Sequence, residues 1–376
     1  MVGDRVIPVM RPWLGEEEAR AASEAVLSGW VAQGPRVAEF EAAFAGAVGV
    51  PHAIAVSSCT TGLHLCLIGA GVGPGDEVVV PSLSFIATTN AVMYAGAVPV
   101  FADVDAATLN LTPETVEAAV TPRTKAVILV DQCGIPADLD AVRAVCEPRG
   151  ITVIEDAACA AGVTYKGRPA AMAAELAAFS FHPRKVLTTG EGGMVTAHDA
   201  GVAARLKRLR EHAMSVSAAD RHASSTVTLE GYDEVGYNYR MTDIQAAIGL
   251  VQLRKLPEMV ARRRELAERY QKALSGIPGL VTATDPSYGT TNYQSFWVTL
   301  PEDHPISRDD LLVRLAERGV SARRALMAAH LQPAYAHIGA SLPVTERLTR
   351  DSVTLPLYHE MTEEEQDRVV EVLYDK

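Results

Sequence analysis

Lys125-Ala-Val-Ile-Leu-Val-Asp131 and Thr152-Val-Ile-Glu155 are short apolar runs ending in a carboxylate, and between them Asp138–Glu147 carries apolar residues at three- and four-residue spacing. Strand, helix, strand in that order is the unit of a parallel sheet, because a parallel partner strand is reached only by a crossover. The alternation continues in both directions. Candidate strands Ala53–Ser57, Glu77–Pro81 and Val98–Asp103 precede it, with helical periods at Ser84–Ala95 and Pro113–Val120, and Leu176–Phe181 and Gly193–Ala197 follow. Right-handed crossovers place helices on both faces, which predicts an α/β protein with a three-layer α/β/α large domain and a mostly parallel sheet. Beyond residue 245 the character changes to a charged amphipathic helix at Arg254–Ala273, a strand at Phe296–Leu300 and helices at Arg308–Arg318 and Thr362–Tyr374. The expected division is a large domain over 1–250, opening with an arm and helix over 1–45, and a smaller C-terminal α+β domain over 251–376.

The balance of 48% hydrophobic and 21% charged residues over 376 positions excludes a disordered chain and suits two packed cores. With 34 basic residues against 46 acidic ones, the net charge of -12 leaves no global positive field for nucleic acid or anionic lipid. No helix-turn-helix segment or basic arm is present, and the most basic stretch, Arg205–Arg210, reads as the solvated face of a helix. Runs of about 18 apolar residues are absent, and Met1–Arg5 has charges without a following apolar core, so neither a membrane nor secretion is expected. Cys59, Cys66, Cys133, Cys146 and Cys159 are odd in number and show no Cys-x-x-Cys spacing, which points to a reduced, cytoplasmic setting. The histidines form no His-Glu-x-x-His and no Cys/His cluster, so no metal is expected. Gly69-Ala-Gly-Val-Gly-Pro-Gly75 resembles a dinucleotide loop only superficially: its glycines miss the G-x-G-x-x-G spacing and a strand follows where a helix is needed.

In open parallel sheets, ligands sit beyond the carboxyl ends of the strands, so the polar residues there are the candidates for chemistry. Ser57-Ser-Cys-Thr-Thr-Gly62 follows a strand and opens a helix, where backbone N–H groups and hydroxyls could cradle an anion; alone it reads more readily as a Ser/Thr helix cap. Glu155-Asp156 ends an apolar strand, where a buried carboxylate wants a cationic partner, though Asp156 could also be an N-cap. Ser180-Phe-His-Pro-Arg-Lys185 follows the next strand and precedes the glycine-rich Thr188–Gly193 loop. A lysine there can be desolvated enough to serve as an amine nucleophile, whereas a lone lysine is ordinarily a surface charge. The order of the three segments carries more than any one of them.

That order, and the wording of Gly73–Ser82, Pro136–Asp140, Glu155–Ala158, Ser180–Lys185, Gly190–Met194 and Gly236–Asn238, resembles the DegT/DnrJ/EryC1/StrS sugar aminotransferases of fold type I, from about Gly29 to Leu357. The resemblance implies pyridoxal 5'-phosphate as cofactor, held as an internal aldimine by Lys185, which also acts as the base that moves the proton between substrate and cofactor. It makes Asp156 the partner of the protonated pyridine nitrogen. It places Cys59, Thr60 and Ser180 at the cofactor phosphate and Phe85 on the pyridine face, although composition alone reads Phe85 as core. Asn238 falls where a residue of the second subunit reaches that phosphate, which implies a homodimer with shared active sites. The chain departs from the family at Cys159, where Gln or His is common, at Asp131-Gln-Cys-Gly134, where His-Leu-Tyr-Gly is common, and at the alanine-rich Ala170–Ala174. These positions border the substrate side.

Lys185, rather than the His of the family's dehydratases, implies transamination in two half-reactions, from an amino acid, by resemblance glutamate, to a nucleotide-linked keto-deoxysugar. The wording of Ser180–His182 and Thr188–Met194 is closer to members that aminate carbon 4 of the sugar than to those acting at carbon 3. His182, Arg240, Arg323, Arg324 and His330 are candidates for the sugar or diphosphate, since guanidinium forks suit phosphate; as single residues they read as surface arginines and, for His330, as a core histidine. Two other readings are amination of a keto-cyclitol and a catalytically silent cofactor-binding sensor or assembly protein; intact Lys185 and Asp156 count against the second.

Overall fold

A computed structural model describes residues 6–216 and 229–374; Met1–Arg5 lies outside the described residues. The chain lays down β1 (His52–Val56), β2 (Glu77–Pro81), β3 (Val98–Ala102), β4 (Thr124–Val130) and β5 (Thr152–Asp156), then a two-residue hairpin of β6 (Thr164–Tyr165) and β7 (Arg168–Pro169), then β8 (Leu176–Ser180) and β9 (Gly193–Ala197). Seven of these form one sheet in the order β1-β9-β8-β5-β4-β2-β3. The pairs are parallel except those of β9, which runs antiparallel to β1 and β8. The link over 181–192 holds no helix, so the chain turns straight back and β9 returns antiparallel. That link carries Lys185.

Side chains alternate between the two faces of the strands, as the two-residue period of a strand requires. Ile54, Val78, Ile128 and Ile154 face Leu63, Val92 and Leu206, from α3 (Cys59–Gly69), α4 (Ala87–Tyr94) and α7 (Ala200–Leu209). Ala55, Val79, Val127 and Val153 face the other way, toward Phe40 and Phe44 of α2 (Pro35–Val48), Val116 of α5 (Pro113–Ala119) and Val142 of α6 (Leu139–Cys146). Two cores back to back make the expected three layers. The glycine-rich stretch after α3 is a turn into β2, with Gly71 at φ 72° and Gly75 at φ 93°.

Helix α8 (Asp243–Leu274) begins eleven residues before the expected Arg254. Thr242 caps it, its Oγ accepting from Gln245 N–H at 3.2 Å while its own N–H donates to Gln245 Oε1 at 2.9 Å. Its first half packs against α1 (Glu16–Leu27) and α2, so the charge alternation that marks the second half is missing there. The helix runs through residue 250, where the domain boundary was expected. Beyond it β10 (Val281–Thr282), β12 (Phe296–Thr299), β14 (Ser352–Leu355) and β13 (Arg323–Arg324) form an antiparallel sheet in that order, while β11 (Gly289–Thr290) joins the β6–β7 hairpin. Helices α9 (Arg308–Glu317), α10 (Pro343–Asp351) and α11 (Glu363–Tyr374) complete the chain.

The arm, expected with the large domain, lies against this C-terminal region instead. Ile7 bridges Val320, the Val9 carbonyl accepts from Leu357 N–H at 3.2 Å, and Trp13 stacks on His359 with centroids 3.7 Å apart. The basic stretch is only partly a solvated face: Arg210 is buried and its guanidinium meets Glu41 and the Ala55 carbonyl, the latter at 2.7 Å. Among the described residues, no helix is long and apolar enough to cross a membrane, and no group of three or more His, Cys, Asp or Glu is arranged to hold a metal.

Candidate active site

The carboxyl ends of β1, β4, β5 and β8 lie along one edge of the sheet, and the polar segments picked from the sequence meet there. After β1, Ser58 accepts from Thr61 N–H at 3.2 Å and caps α3. Cys59 and Thr60 open that helix, so their N–H groups have no intrahelical acceptor and are available to an anion. Gly193 of β9 packs against this helix start: a Cβ there would lie 2.7 Å from Cys59 N and 2.8 Å from Phe179 O, so a side chain would drive the helix off the sheet.

Asp156 ends β5 and is 3% exposed. Its Oδ2 accepts from the Thr88 hydroxyl at 2.8 Å and its Oδ1 from Ala158 N–H at 3.2 Å; Cys59 Sγ stands 4.0 Å from Oδ1. Burial raises its pKa, and the bonds from Thr88 and Ala158 and the charge of Lys185 recover only part of that rise. Lys185 places Nζ 3.1 Å from Cys159 Sγ. Burial works against its ammonium, but Cys159, Cys59 and Asp156 outweigh it and hold the pKa above the ordinary lysine value. The Cys59 thiol is pushed well up by burial and then by Asp156, so it stays protonated.

Ser180 ends β8 and its Oγ accepts from His182 N–H at 3.4 Å. The His182 Nδ1 accepts from Arg184 N–H at 3.1 Å, and burial lowers the ring's pKa, leaving a neutral imidazole at pH 7. Phe85 is 66% exposed rather than core, because α4 starts only at Ala87 and Phe85 sits on the loop before it. Arg323 has a buried Nε with no partner, and no ion pair reaches its guanidinium among the described residues. Its charge acts on Cys133, Cys159 and His182, so it lies near the Lys185–Cys159 contact. Arg324, next along β13, is exposed, and Arg240 is half-buried. Asn238 is exposed, and among the described residues no hydrogen bond joins its side chain to the Asp156–Lys185 cluster of its own chain.

His330 does not fit the role expected of it. It is 4% exposed, and its Nδ1 meets Ser82 Oγ at 2.6 Å while Nε2 faces Glu346 at 3.4 Å, so both ring nitrogens are engaged within the protein. Thr88, which holds Asp156, and Gln294, which contacts both neighbours of Lys185, join the site from distant parts of the chain. An apolar cavity of about 320 Å³ between α2 and α8, lined by Phe44, Val48, Leu253 and Val260, includes none of the site residues.

One strand-end pair has its own consequence. Asp131 and Glu155 are buried side by side; Asp131 Oδ1 accepts from Ala137 N–H and Glu155 Oε1 from Ala171 N–H, both at 2.9 Å, while Oδ2 and Oε2 have no partner. Burial first, and for Asp131 the neighbouring Glu155 next, raises both pKa values, so a proton shared by the pair is the expectation. Unfolded carboxyls ionise at about pH 4, so above that pH unfolding releases the proton and stability falls as pH rises toward the raised folded values. Asp131→Asn supplies a permanent N–H donor to Glu155. Its melting temperature should exceed the wild type's at pH 8, by about 1 kcal/mol of stability, and its decline from pH 5 to pH 8 should be shallower. Parallel melting curves against pH for the two proteins would contradict the shared proton.

Comparison with known proteins bears on the family and the fold. The crystal structure of the aminotransferase TlmJ from Streptoalloteichus hindustanus is 39% identical and superposes with a TM-score of 0.90, covering 98% of this chain and 97% of that one. DesI, solved in the presence of its TDP-sugar product, is 34% identical at a TM-score of 0.89, over 98% of this chain and 92% of that one. The PLP form of Spr1654 from Streptococcus pneumoniae, assigned as a sugar aminotransferase, is 28% identical at 0.89, over 97% of each chain. A family model matches residues 12–374, nearly the whole sequence, and with it the chain belongs to the DegT/DnrJ/EryC1/StrS aminotransferase family.

Proposed function

We propose that this aminotransferase carries an amino group from an amino acid, L-glutamate in the first instance, to carbon 4 of a nucleotide-linked 4-keto-6-deoxyhexose, with Lys185 and Asp156 as its catalytic residues. The observation that carries the reading is the placement of a part-buried amine, on the link after β8, near a buried carboxylate at the end of β5, beside the open N-terminus of α3. The PLP and PMP forms of a structural neighbour support dependence on pyridoxal phosphate.

The residues present fit that cofactor. Asp156 lacks a full counter-charge and suits a protonated ring nitrogen. The N–H groups of Cys59 and Thr60, with Ser180, suit the phosphate. Phe85, exposed on its loop, offers a ring face, and Asn238 of the partner subunit would complete the phosphate site in a homodimer. When bound, the cofactor supplies an electron sink for the carbon that loses or gains the amine.

The chain's part follows from this reading. Lys185 Nζ would hold the cofactor and, once free, would move the proton at the substrate carbon. Thr88 and the Ala158 N–H fix Asp156, whose carboxylate would meet a protonated ring nitrogen. Neutral His182 and the unpaired Arg323 would face the substrate, and Arg323, with Arg240 and the exposed Arg324, would meet the sugar and diphosphate. The carbon 4 assignment rests on the wording of Ser180–His182 and Thr188–Met194, and the nucleotide-sugar class is in keeping with DesI and its TDP-sugar product. The five cysteines are free, in keeping with a reducing cytoplasm.

The test is to supply L-glutamate and a panel of 3-keto and 4-keto nucleotide sugars and keto-cyclitols, and to identify the aminated product by mass spectrometry and NMR. Amination of a 4-keto sugar supports the reading; amination of a keto-cyclitol alone, or of no ketone, sinks it. Arg323→Ala should raise KM for the sugar nucleotide about 10- to 100-fold, the size of one charge-assisted hydrogen bond, with a smaller change in KM for glutamate. Equal KM values for variant and wild type would remove Arg323 from the substrate site.

A further inference from the structure

A single side chain reaches the backbone on both sides of Lys185. Gln294 is 6% exposed; its Oε1 accepts from Val186 N–H at 2.8 Å and its Nε2 donates to the Arg184 carbonyl at 2.5 Å. The amide can sit only one way round, because an N–H needs an acceptor and a carbonyl needs a donor. Gln294 is itself fixed from behind. Arg263, 3% exposed, donates from Nε to the Tyr293 carbonyl at 2.9 Å and from Nη2 to the Gln294 carbonyl at 2.8 Å, and reaches Met10 Sδ at 3.6 Å. A buried guanidinium spent on carbonyls is costly, and burial lowers its pKa to about 9.

Asn292 extends the brace to the opposite wall of the site. Its Nδ2 donates to the Cys159 and Ala161 carbonyls, each at 2.8 Å, and its Oδ1 accepts from Gln294 N–H at 2.7 Å. Gly134, at φ 88°, leaves room for it, since a Cβ there would collide with Asn292 Oδ1. One three-residue segment, 292–294, therefore grips both the loop that carries Lys185 and the loop that carries Cys159, whose side chains meet at 3.1 Å.

We propose that Gln294 is a positioning residue for Lys185: by holding the peptide groups at 184 and 186 from a segment beyond α8, it sets where the Nζ amine points. Nothing in the family comparison assigns it a role. The inference rests on the reading of Lys185 as the cofactor lysine. Side-chain aim is what it explains, since the bonds fix the backbone through which the lysine's first torsion is set.

The experiment compares wild type with Gln294→Leu, which keeps the bulk and loses both bonds, and Gln294→Glu, which can still accept from Val186 N–H but has no donor for Arg184. Hydrogen exchange of the peptide spanning 181–189 is followed by mass spectrometry in the cofactor-free protein, alongside kcat and both KM values after loading. Gln294→Leu should speed exchange in 181–189 about tenfold, the loss of one net hydrogen bond in local protection, with other peptides unchanged. Its kcat should fall about 100-fold, as expected for a misaimed catalytic group, with KM values nearly unchanged. Gln294→Glu should fall between the two in exchange, and it serves as the test if the leucine variant does not fold. Wild-type exchange in 181–189, or a lost protection with kcat kept, overturns the proposal. Borohydride labelling of the wild type at a lysine other than Lys185 would instead overturn the underlying reading and leave the exchange result standing.

Discussion

Lys185→Ala should lose transamination almost completely, with turnover down at least about ten-thousand-fold, the upper range for removing a positioned acid–base group. The residue combines two tasks at one atom. On the proposed reading Nζ holds the cofactor and then serves as the base at the substrate carbon; among the described residues the groups that act on it are Cys159, Cys59 and Asp156, none of them an amine. The protonated Cys59 is a poor base. The fold should survive, because removing the side chain frees volume at the rim of the sheet rather than in either core. A small primary amine such as methylamine, diffusing into the space left by the side chain, should restore part of the proton transfer. Steady-state turnover at high enzyme concentration, with and without the amine, checks this. Turnover within about tenfold of wild type, far inside the range of acid–base loss, would remove Lys185 from the chemistry.

The second large effect belongs to Asp156. Asp156→Asn keeps the shape, and its amide oxygen can still accept from Thr88 or Ala158, but it cannot offset a positive ring nitrogen. Turnover should fall about 100- to 1,000-fold, the size of losing one preorganised electrostatic contact in a dry site. Stability should move the other way. Burial already raises the carboxyl's pKa, so a neutral amide relieves a cost, and the cofactor-free variant should melt at or above the wild-type temperature at pH 8. A variant that is both unstable and only mildly impaired would make Asp156 a structural cap rather than a charge partner.

The strand ends were legible in the sequence because their signals are local. An apolar β-branched run followed by Asp156, or by Ser180 and the Thr188–Gly193 loop, needs no knowledge of the rest of the chain to be placed at a sheet rim. What lay hidden depends on contacts between distant segments. Thr88 sits in an ordinary helical run 68 residues before the carboxylate it holds. Gln294 lies 108 residues beyond the Val186 N–H it accepts from, and neither its type nor its neighbours mark it out. His330 shows the converse: a histidine beside arginines suggests a ligand, whereas Ser82, 248 residues away, already occupies it. Helix α8 was read short because its buried half lacks the charge period that reveals the exposed half. The arm's contacts with the C-terminal region were hidden, since a few extended residues carry no sign of which sheet they will join.

The central claim is that Lys185 holds the cofactor, and the most direct measurement is covalent. The protein is loaded with pyridoxal phosphate, reduced with sodium borohydride, digested and mapped by mass spectrometry. A phosphopyridoxyl group on the peptide containing Lys185, absent when Lys185→Ala is treated in the same way, is the predicted result. Labelling of another lysine in the wild type, or equal labelling of the two proteins, would contradict it.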